Sequence, residues 1–330
     1  MRRKKTRDDI FKYITVVLVL IFLIAAAFLF LGLWEKRQGQ YSGSEKYDGS
    51  LFYQGKEYVL KDTVETFLVL GLDKYDGAAV SDSYNNDKQA DFLMLFVFDN
   101  DAKTCTAVHI NRDTMANVRI LAIDETKVVD TVTKQIALAH TYGKGREASC
   151  RNTKDSVEDL LHGIKVNHYT SFTMDSVPII NDFVGGVEIT VMDDFTGIDE
   201  KLVKGETVTL MGEEALLYVR ARSSLEDSTN LRRMERQRQY INALYQKVVS
   251  CMEADESFAV NFIDTIDDYV VYDSSDHKMQ KFAEKFDTYQ FLGIREIEGE
   301  AKVGEKFMEF YPDEDSVWNI VIDLFCTPKD

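Results

Sequence analysis

From about residue 64 the chain alternates apolar runs of strand length with segments whose apolar residues recur at helical spacing. The run 66–72 is continuously apolar and is closed by Asp73; 91–98 and 104–111 repeat the pattern. Runs without polar alternation predict strands buried on both faces. Asp99-Asn100-Asp101 is a tight polar connection and predicts a hairpin between the second and third strands. Helical spacing follows at about 131–142 and 153–162, then a strand over 167–173 and a helix over 174–184 stopped by Gly185-Gly186. The stretch 187–191 alternates as a strand does, and helices are predicted at about 211–219 and 230–250. The tail adds a helix near 275–289, two strand-like stretches over about 291–311 and a helix near 314–325. No composition break divides this region. It predicts one mixed α/β domain over 64–328, with a central sheet covered by helices on both faces.

The N-terminal pattern is different. The run 14–33 holds 20 residues without a charge, which span about 30 Å as a helix, enough for a bilayer's hydrocarbon core. Tyr13 and Trp34 flank it as interfacial aromatics, and Arg2, Arg3, Lys4, Lys5, Arg7 and Lys12 precede it. This predicts a single-pass anchor over 13–34 in the cell membrane, with a basic cytoplasmic tail at 1–12 and the rest extracytoplasmic. The alternative is a cleaved signal peptide ending at Ala25-Ala26-Ala27, although Phe28-Leu29-Phe30-Leu31 prolongs the run beyond an ordinary signal core. Residues 35–63 read as a juxtamembrane linker, with a short hairpin over 51–62 turning at Gln54-Gly55.

Charge narrows the chemistry. The chain carries 39 Lys+Arg against 56 Asp+Glu, a net −17. Six basic residues against Asp8 and Asp9 give +4 in the first 12, which leaves −21 for the remainder. So acidic a body excludes a general nucleic-acid binder. Yet Arg220, Arg222, Arg232, Arg233, Arg236 and Arg238 fall within 19 residues. Arginine grips phosphate oxygens with a planar fork and stays charged at any physiological pH. On a helix Arg233, Arg236 and Gln237 share one face. Arg220 and Arg222 point the same way only where the segment is extended. The competing reading is a solvated helix face paired with Glu226, Asp227 and Glu235.

Two further groups sit at strand ends. Asp73 closes the first strand and Asp91 opens the second. If these strands are antiparallel neighbours, both carboxylates serve a hard cation such as Mg²⁺; the plainer alternative is a pair of turn or cap residues. Asn111-Arg112-Asp113-Thr114 follows the third strand, where Arg112 is a phosphate contact and Asp113 orients it or caps the turn. Cys105, Cys150, Cys251 and Cys326 match no metal or redox spacing and are buried thiols or include one bridge. The five histidines have no metal-ligand spacing, and His109, in an apolar strand, reads as a core residue. There is no nucleophile elbow, P-loop or dinucleotide fingerprint.

In this order the motifs resemble the LytR-CpsA-Psr (LCP) family of cell-wall proteins. They are Leu-Val-Leu-Gly-Leu-Asp (68–73), Gln-Ala-Asp (89–91), Asn-Arg-Asp-Thr (111–114) and His-Thr-Tyr-Gly (140–143). Asp-Phe-Val-Gly-Gly-Val-Glu-Ile-Thr-Val (182–191), Leu-Met-Gly-Glu-Glu-Ala-Leu-Leu-Tyr-Val-Arg-Ala-Arg (210–222) and Arg-Met-Glu-Arg-Gln-Arg (233–238) complete the set. The resemblance implies a membrane-anchored phosphotransferase that moves an anionic or phospho-glycopolymer, such as a teichoic acid, from a polyprenyl-pyrophosphate carrier to peptidoglycan. It implies that Asp73 and Asp91 bind Mg²⁺ (or Mn²⁺) and that Arg112, Arg220, Arg222, Arg233, Arg236 and Gln237 hold the pyrophosphate. It also implies an apolar tunnel for the polyprenyl tail, lined near 136–138 and 157–161. Asp91 or Asp113 is the candidate base for the acceptor hydroxyl, so the catalytic set is Asp73, Asp91, Arg112 and Asp113. The alternatives are a binding or wall-assembly protein that does not transfer, and a pyrophosphate hydrolase.

The chain departs from the family pattern at four places. Members usually carry Arg where Tyr75 and Gln89 stand, Pro where Asn111 stands, and Lys-x-Asn where Gln135-Ile136-Ala137 stands.

Overall fold

The computed structural model describes residues 50–73, 88–222, 225–255, 258–273 and 289–329. The expected tail and anchor, Tyr75 and nearly all of the helix expected near 275–289 lie outside the described residues. Among the described residues no helix is long and apolar enough to cross a membrane. In chain order the elements are β1 (Ser50–Tyr53), β2 (Lys56–Leu60), β3 (Val64–Leu72), β4 (Ala90–Asp99), β5 (Thr104–Ile110), β6 (Met115–Leu121), β7 (Val128–Gln135), α1 (Glu147–Leu160), β8 (His168–Thr173), α2 (Ser176–Phe183), β9 (Val187–Thr190), β10 (Thr207–Leu210), α3 (Glu213–Arg220), α4 (Asn230–Ala254), α5 (Phe258–Ile266), β11 (Val270–Tyr272), β12 (Gln290–Glu296), β13 (Gly299–Val303), β14 (Met308–Pro312), α6 (Glu314–Phe325) and β15 (Cys326–Pro328). They form two compact units. Of the described residues, 172–222, 225–255 and 258–270 belong to a helical unit; 50–73, 88–171, 271–273 and 289–329 belong to a sheet unit.

The sheet unit is built on a six-stranded sheet in the order β11-β8-β3-β4-β5-β12. The mixed α/β expectation holds. β3 and β4 are antiparallel neighbours, with Leu72 opposite Ala90, so the end of the first apolar run does meet the start of the second. β4 and β5 form the expected hairpin. Alternate side chains leave opposite faces of a strand. Leu68, Leu70, Leu72, Leu93, Leu95, Val97, Val108 and Ile110 enter one apolar cluster with Val157 of α1, Leu161 just after it, and Val317, Ile320 and Phe325 of α6. The other-face residues Phe67, Met94 and Phe96 are buried too, and Phe67 meets Phe98 edge-on at 5.8 Å. Burial on both faces is why these strands lack alternation.

The hairpin expected over 51–62 is present as β1–β2. Gln54 and Gly55 have φ of 49° and 75°, the left-handed pair that tight hairpin turns require. β15 joins β2 as a third strand, and Tyr53 stacks on Trp318 of α6 at 5.3 Å.

The helix expected at 131–142 is a correction. Residues 128–135 are strand β7, paired with β6 from Met115↔Gln135 onward, and only Ile136–Thr141 winds, as a 3-10 turn. Val128, Val129, Thr131, Val132 and Thr133 are β-branched and favour extended backbone. The spacing of Val132, Ile136 and Ala139 had imitated a helix. Further elements went unread: β6, β10, α5, β11, β15 and a third tail strand, since β12, β13 and β14 occupy the region expected to hold two.

His168 ties the sheet edge together. Its Nε2 lies 3.5 Å from Glu65 Oε1 and its Nδ1 3.5 Å from Asp273 Oδ1. Burial works to lower its pKa, but hydrogen bonds and charge from Asp273 and Glu65 outweigh burial and hold it above the ordinary value. Stability from the charged imidazole is thus complete below the unfolded value of about 6.5 and is lost as pH rises through the raised folded value. His168→Gln is expected to cost more stability near pH 5.5 than near pH 8.5. Urea unfolding at both pH values checks this, and an equal cost at the two would refute it.

Candidate functional site

The site residues expected from sequence divide between the units. In the sheet unit, Arg112 is a hub. Its Nη1 donates to Asp91 Oδ1 and its Nη2 to Gln89 Oε1. Its Nε lies 3.5 Å from Asp113 Oδ1. The fork is therefore oriented by three neighbours. Gln89, which replaces the family's usual arginine, accepts from Arg112 where a cation would repel it.

The loop carrying Arg112 is locked by its own sequence. Asn111 Oδ1 accepts from the Asp113 N–H at 2.9 Å, and Thr114 N donates to Asn111 O at 3.0 Å. This is the side-chain turn that asparagine forms readily, in place of a proline's fixed φ. Ala137 N bonds Arg112 O and Phe310 N bonds Asp113 O. Asp113 Oδ1 also accepts from Gln135 Nε2 at 2.9 Å, and the same nitrogen donates to Met308 O at 2.7 Å. Gln135 was noted in sequence only as a departure from the family pattern; here it pins Asp113.

Asp73 follows the last residue of β3 and Asp91 is the second residue of β4. Two carboxylates on adjacent antiparallel strands supply hard oxygen donors. Among the described residues no three His, Cys, Asp or Glu side chains gather as a ligand set. Paired carboxylates are the oxygen donors that a hard cation such as Mg²⁺ takes, with water and phosphate completing its shell.

In the helical unit the arginines separate into two kinds. Arg220 and Arg222 are exposed. α3 ends at Arg220, and Ala221 is extended at φ −53° and ψ 136°, so the chain leaves the helical spiral between them. Arg233 and Arg236 are 6% and 0% exposed. Arg233 Nη2 donates to Asn230 Oδ1 at 2.6 Å. Arg236 donates Nε to Tyr218 O at 2.9 Å and Nη2 to Ala221 O, and its Nη1 reaches Asp193 Oδ2 at 2.5 Å. Gln237 Nε2 donates to Val219 O at 3.3 Å; its Oε1 is buried with no hydrogen-bond partner among the described residues. Arg232 pairs with Asp193 Oδ1 at 2.7 Å and Glu235 Oε2 at 2.5 Å. Glu235 was an expected partner; Asp193 was missed. Its one signal is the Asp193-Asp194 pair just beyond β9.

Other titratable groups are packing. His140 and Cys150 are both fully buried, with Nε2 3.6 Å from Sγ. Burial pushes the thiol up to about 12 and the imidazole down to about 4, so the pair stays neutral and is no nucleophile. All four cysteines are free thiols. His109 is buried against Phe92, with ring centroids 5.0 Å apart. Ile136, Val157 and Leu161, near the expected tunnel, lie in the main apolar cluster of the sheet unit.

The sheet unit, with two carboxylates and an arginine at its strand ends, and the helical unit, with its exposed arginines, make up a mixed α/β protein. Residues 35–320 match the LytR_cpsA_psr family, and the chain belongs to that family. It is 30% identical over 185 residues to the polyisoprenyl-teichoic acid–peptidoglycan teichoic acid transferase TagU of Enterococcus faecalis, covering 56% of this chain and 53% of that protein. It is 29% identical over 169 residues to the transferase TagV of Bacillus subtilis, covering 49% and 39%. The matches thus span about half or less of these two relatives. Among solved structures, Bacillus subtilis TagV aligns at TM-score 0.55 and 24% identity over 80% of this chain and 97% of that one. TagT bound to LI-WTA aligns at 0.58 and 21% over 80% and 90%. These likenesses establish the fold.

Proposed function

We propose that this chain is a transferase that moves an anionic or phospho-glycopolymer from a polyprenyl-pyrophosphate carrier to peptidoglycan. The observation that carries the proposal is the pair of exposed arginines Arg220 and Arg222, on a segment held by the buried Arg236, in a member of this family. TagU and TagV, by name, act on polyisoprenyl-linked teichoic acid and peptidoglycan. The run 14–33 is the proposed membrane anchor, with 35–330 extracytoplasmic. Helices on both faces of the sheet complete the proposed architecture.

In the proposed reaction an acceptor sugar hydroxyl forms a bond to the phosphorus that carries the glycopolymer. The bond from that phosphorus to the bridging oxygen breaks, and polyprenyl phosphate leaves. Arg220 and Arg222 bind phosphate oxygens, and their forks favour the charge that builds up in the transition state. Arg112 does the same from an orientation set by Asp91, Gln89 and Asp113. The hydroxyl proton goes to one of the two carboxylates that contact Arg112, Asp91 or Asp113. Asp73 and Asp91 would hold Mg²⁺ or Mn²⁺, which supplies countercharge to phosphate.

The test incubates full-length protein with lipid-pyrophosphoryl glycan and peptidoglycan fragments. Polymer joined to peptidoglycan is expected, with loss of product in EDTA and recovery on adding Mg²⁺. No product from the wild type would sink the proposal. Lipid phosphate released equally without peptidoglycan would make the protein a hydrolase, and bound carrier without turnover would make it a binding protein.

A further inference from the structure

Asp193 has no part in the chemistry above, yet it organises the segment that does. It is 7% exposed and gives each oxygen to a different arginine. Oδ1 accepts from Arg232 Nε at 2.7 Å and Oδ2 from Arg236 Nη1 at 2.5 Å. The Arg236 guanidinium is fully buried, with Cζ 5.8 Å from the Phe195 ring. Its remaining donors reach Tyr218 O and Ala221 O. The next residue, Gln237, reaches Val219 O.

These three carbonyls are ones that a helix ending at Arg220 leaves without a helical partner. Two consecutive residues of α4 thus cap the end of α3 from outside, and the capped stretch contains Arg220 and ends one residue before Arg222. A guanidinium held by a carboxylate and two carbonyls has one orientation. Released from the carboxylate, it has several, and the carbonyls it holds move with it.

We propose that Asp193 is a positioning residue for the Arg220–Arg222 segment, acting through Arg236. The proposal rests on the phosphate-binding reading of that segment. It assigns Arg236, expected from sequence to touch pyrophosphate, to a place behind the ligand-binding arginines.

The test must separate positioning from folding. In full-length protein, Asp193→Ala combined with Arg236→Met removes both buried charges and fills the space with an apolar chain, an exchange that often leaves stability intact. Three measurements follow: the urea midpoint, hydrogen exchange of the amides at 219–222, and affinity for inorganic pyrophosphate by calorimetry. The double variant is expected to keep a near-native midpoint while those amides exchange faster and pyrophosphate affinity falls about tenfold, the worth of one charge-assisted hydrogen bond. Native exchange and native affinity in a stable double variant would overturn the proposal.

Should that variant fail to fold, Arg236→Lys gives the same decision. It keeps a cation opposite Asp193 but lacks the fork that spans both carbonyls, and the same local loosening is expected. Arg220→Ala and Arg222→Ala serve as controls. Unchanged pyrophosphate affinity in both would remove the phosphate-binding reading, and the exchange data would then decide the positioning role alone.

Discussion

Asp193→Ala is expected to destabilise the protein by about 3–5 kcal/mol, the usual cost of removing one partner from a buried ion pair. The measurement is urea unfolding, with a lowered midpoint and an unchanged slope. The size follows from Arg236, which has no exposed surface and would keep its charge without a carboxylate. Its two carbonyl contacts remain, but carbonyls offer only partial compensation for a full charge. Arg232→Ala removes the other partner of Asp193 and should cost much less, about 1 kcal/mol or below. The Arg232 side chain is 24% exposed, so water already screens that pair. Equal costs for the two variants would mean that Asp193 does not support a buried charge.

The second large effect falls on activity. Arg220→Ala and Arg222→Ala are each expected to lower kcat/KM for transfer by about 1.5–3 kcal/mol, roughly ten- to a hundredfold. Both side chains are exposed, so stability should stay within about 0.5 kcal/mol of wild type. Lysine at either position retains the charge and loses the bidentate fork, so it should recover only part of the rate. Wild-type rates in both alanine variants would remove these residues from the site. Asp193 and Arg220 therefore form a contrast: one variant chiefly unfolds the protein, the other chiefly disables it.

Much of the fold was legible because its strands are buried on both faces. The continuous apolar runs now in β3, β4 and β5 have no reading other than a covered sheet or a buried helix, and their length chose the sheet. Gly185-Gly186 marked the end of α2 for a local reason. Gly186 has φ 85°, and a Cβ there would lie 2.7 Å from Thr209 Cγ2 and 3.0 Å from Leu210 O. β7 was misread because Val132 falls at helical spacing with Ile136 and Ala139, which lie in the 3-10 turn after it. Its β-branched composition was the better signal. The candidate carboxylates at Asp73 and Asp91 were legible because an antiparallel pair brings the end of one strand to the start of the next.

The arginine cluster shows where such reading stops. From the sequence alone follow the crowding of six arginines into 19 residues, their contrast with an acidic body, and their place after a predicted helix. Those are local properties. Tertiary structure decided which of them face solvent and which support the others. Arg236 finds its carboxylate 43 positions away and Arg112 finds its own 21 away. A charged side chain can be buried only where such distant groups offset its lost hydration. Spacing along one helix cannot reveal whether those partners exist.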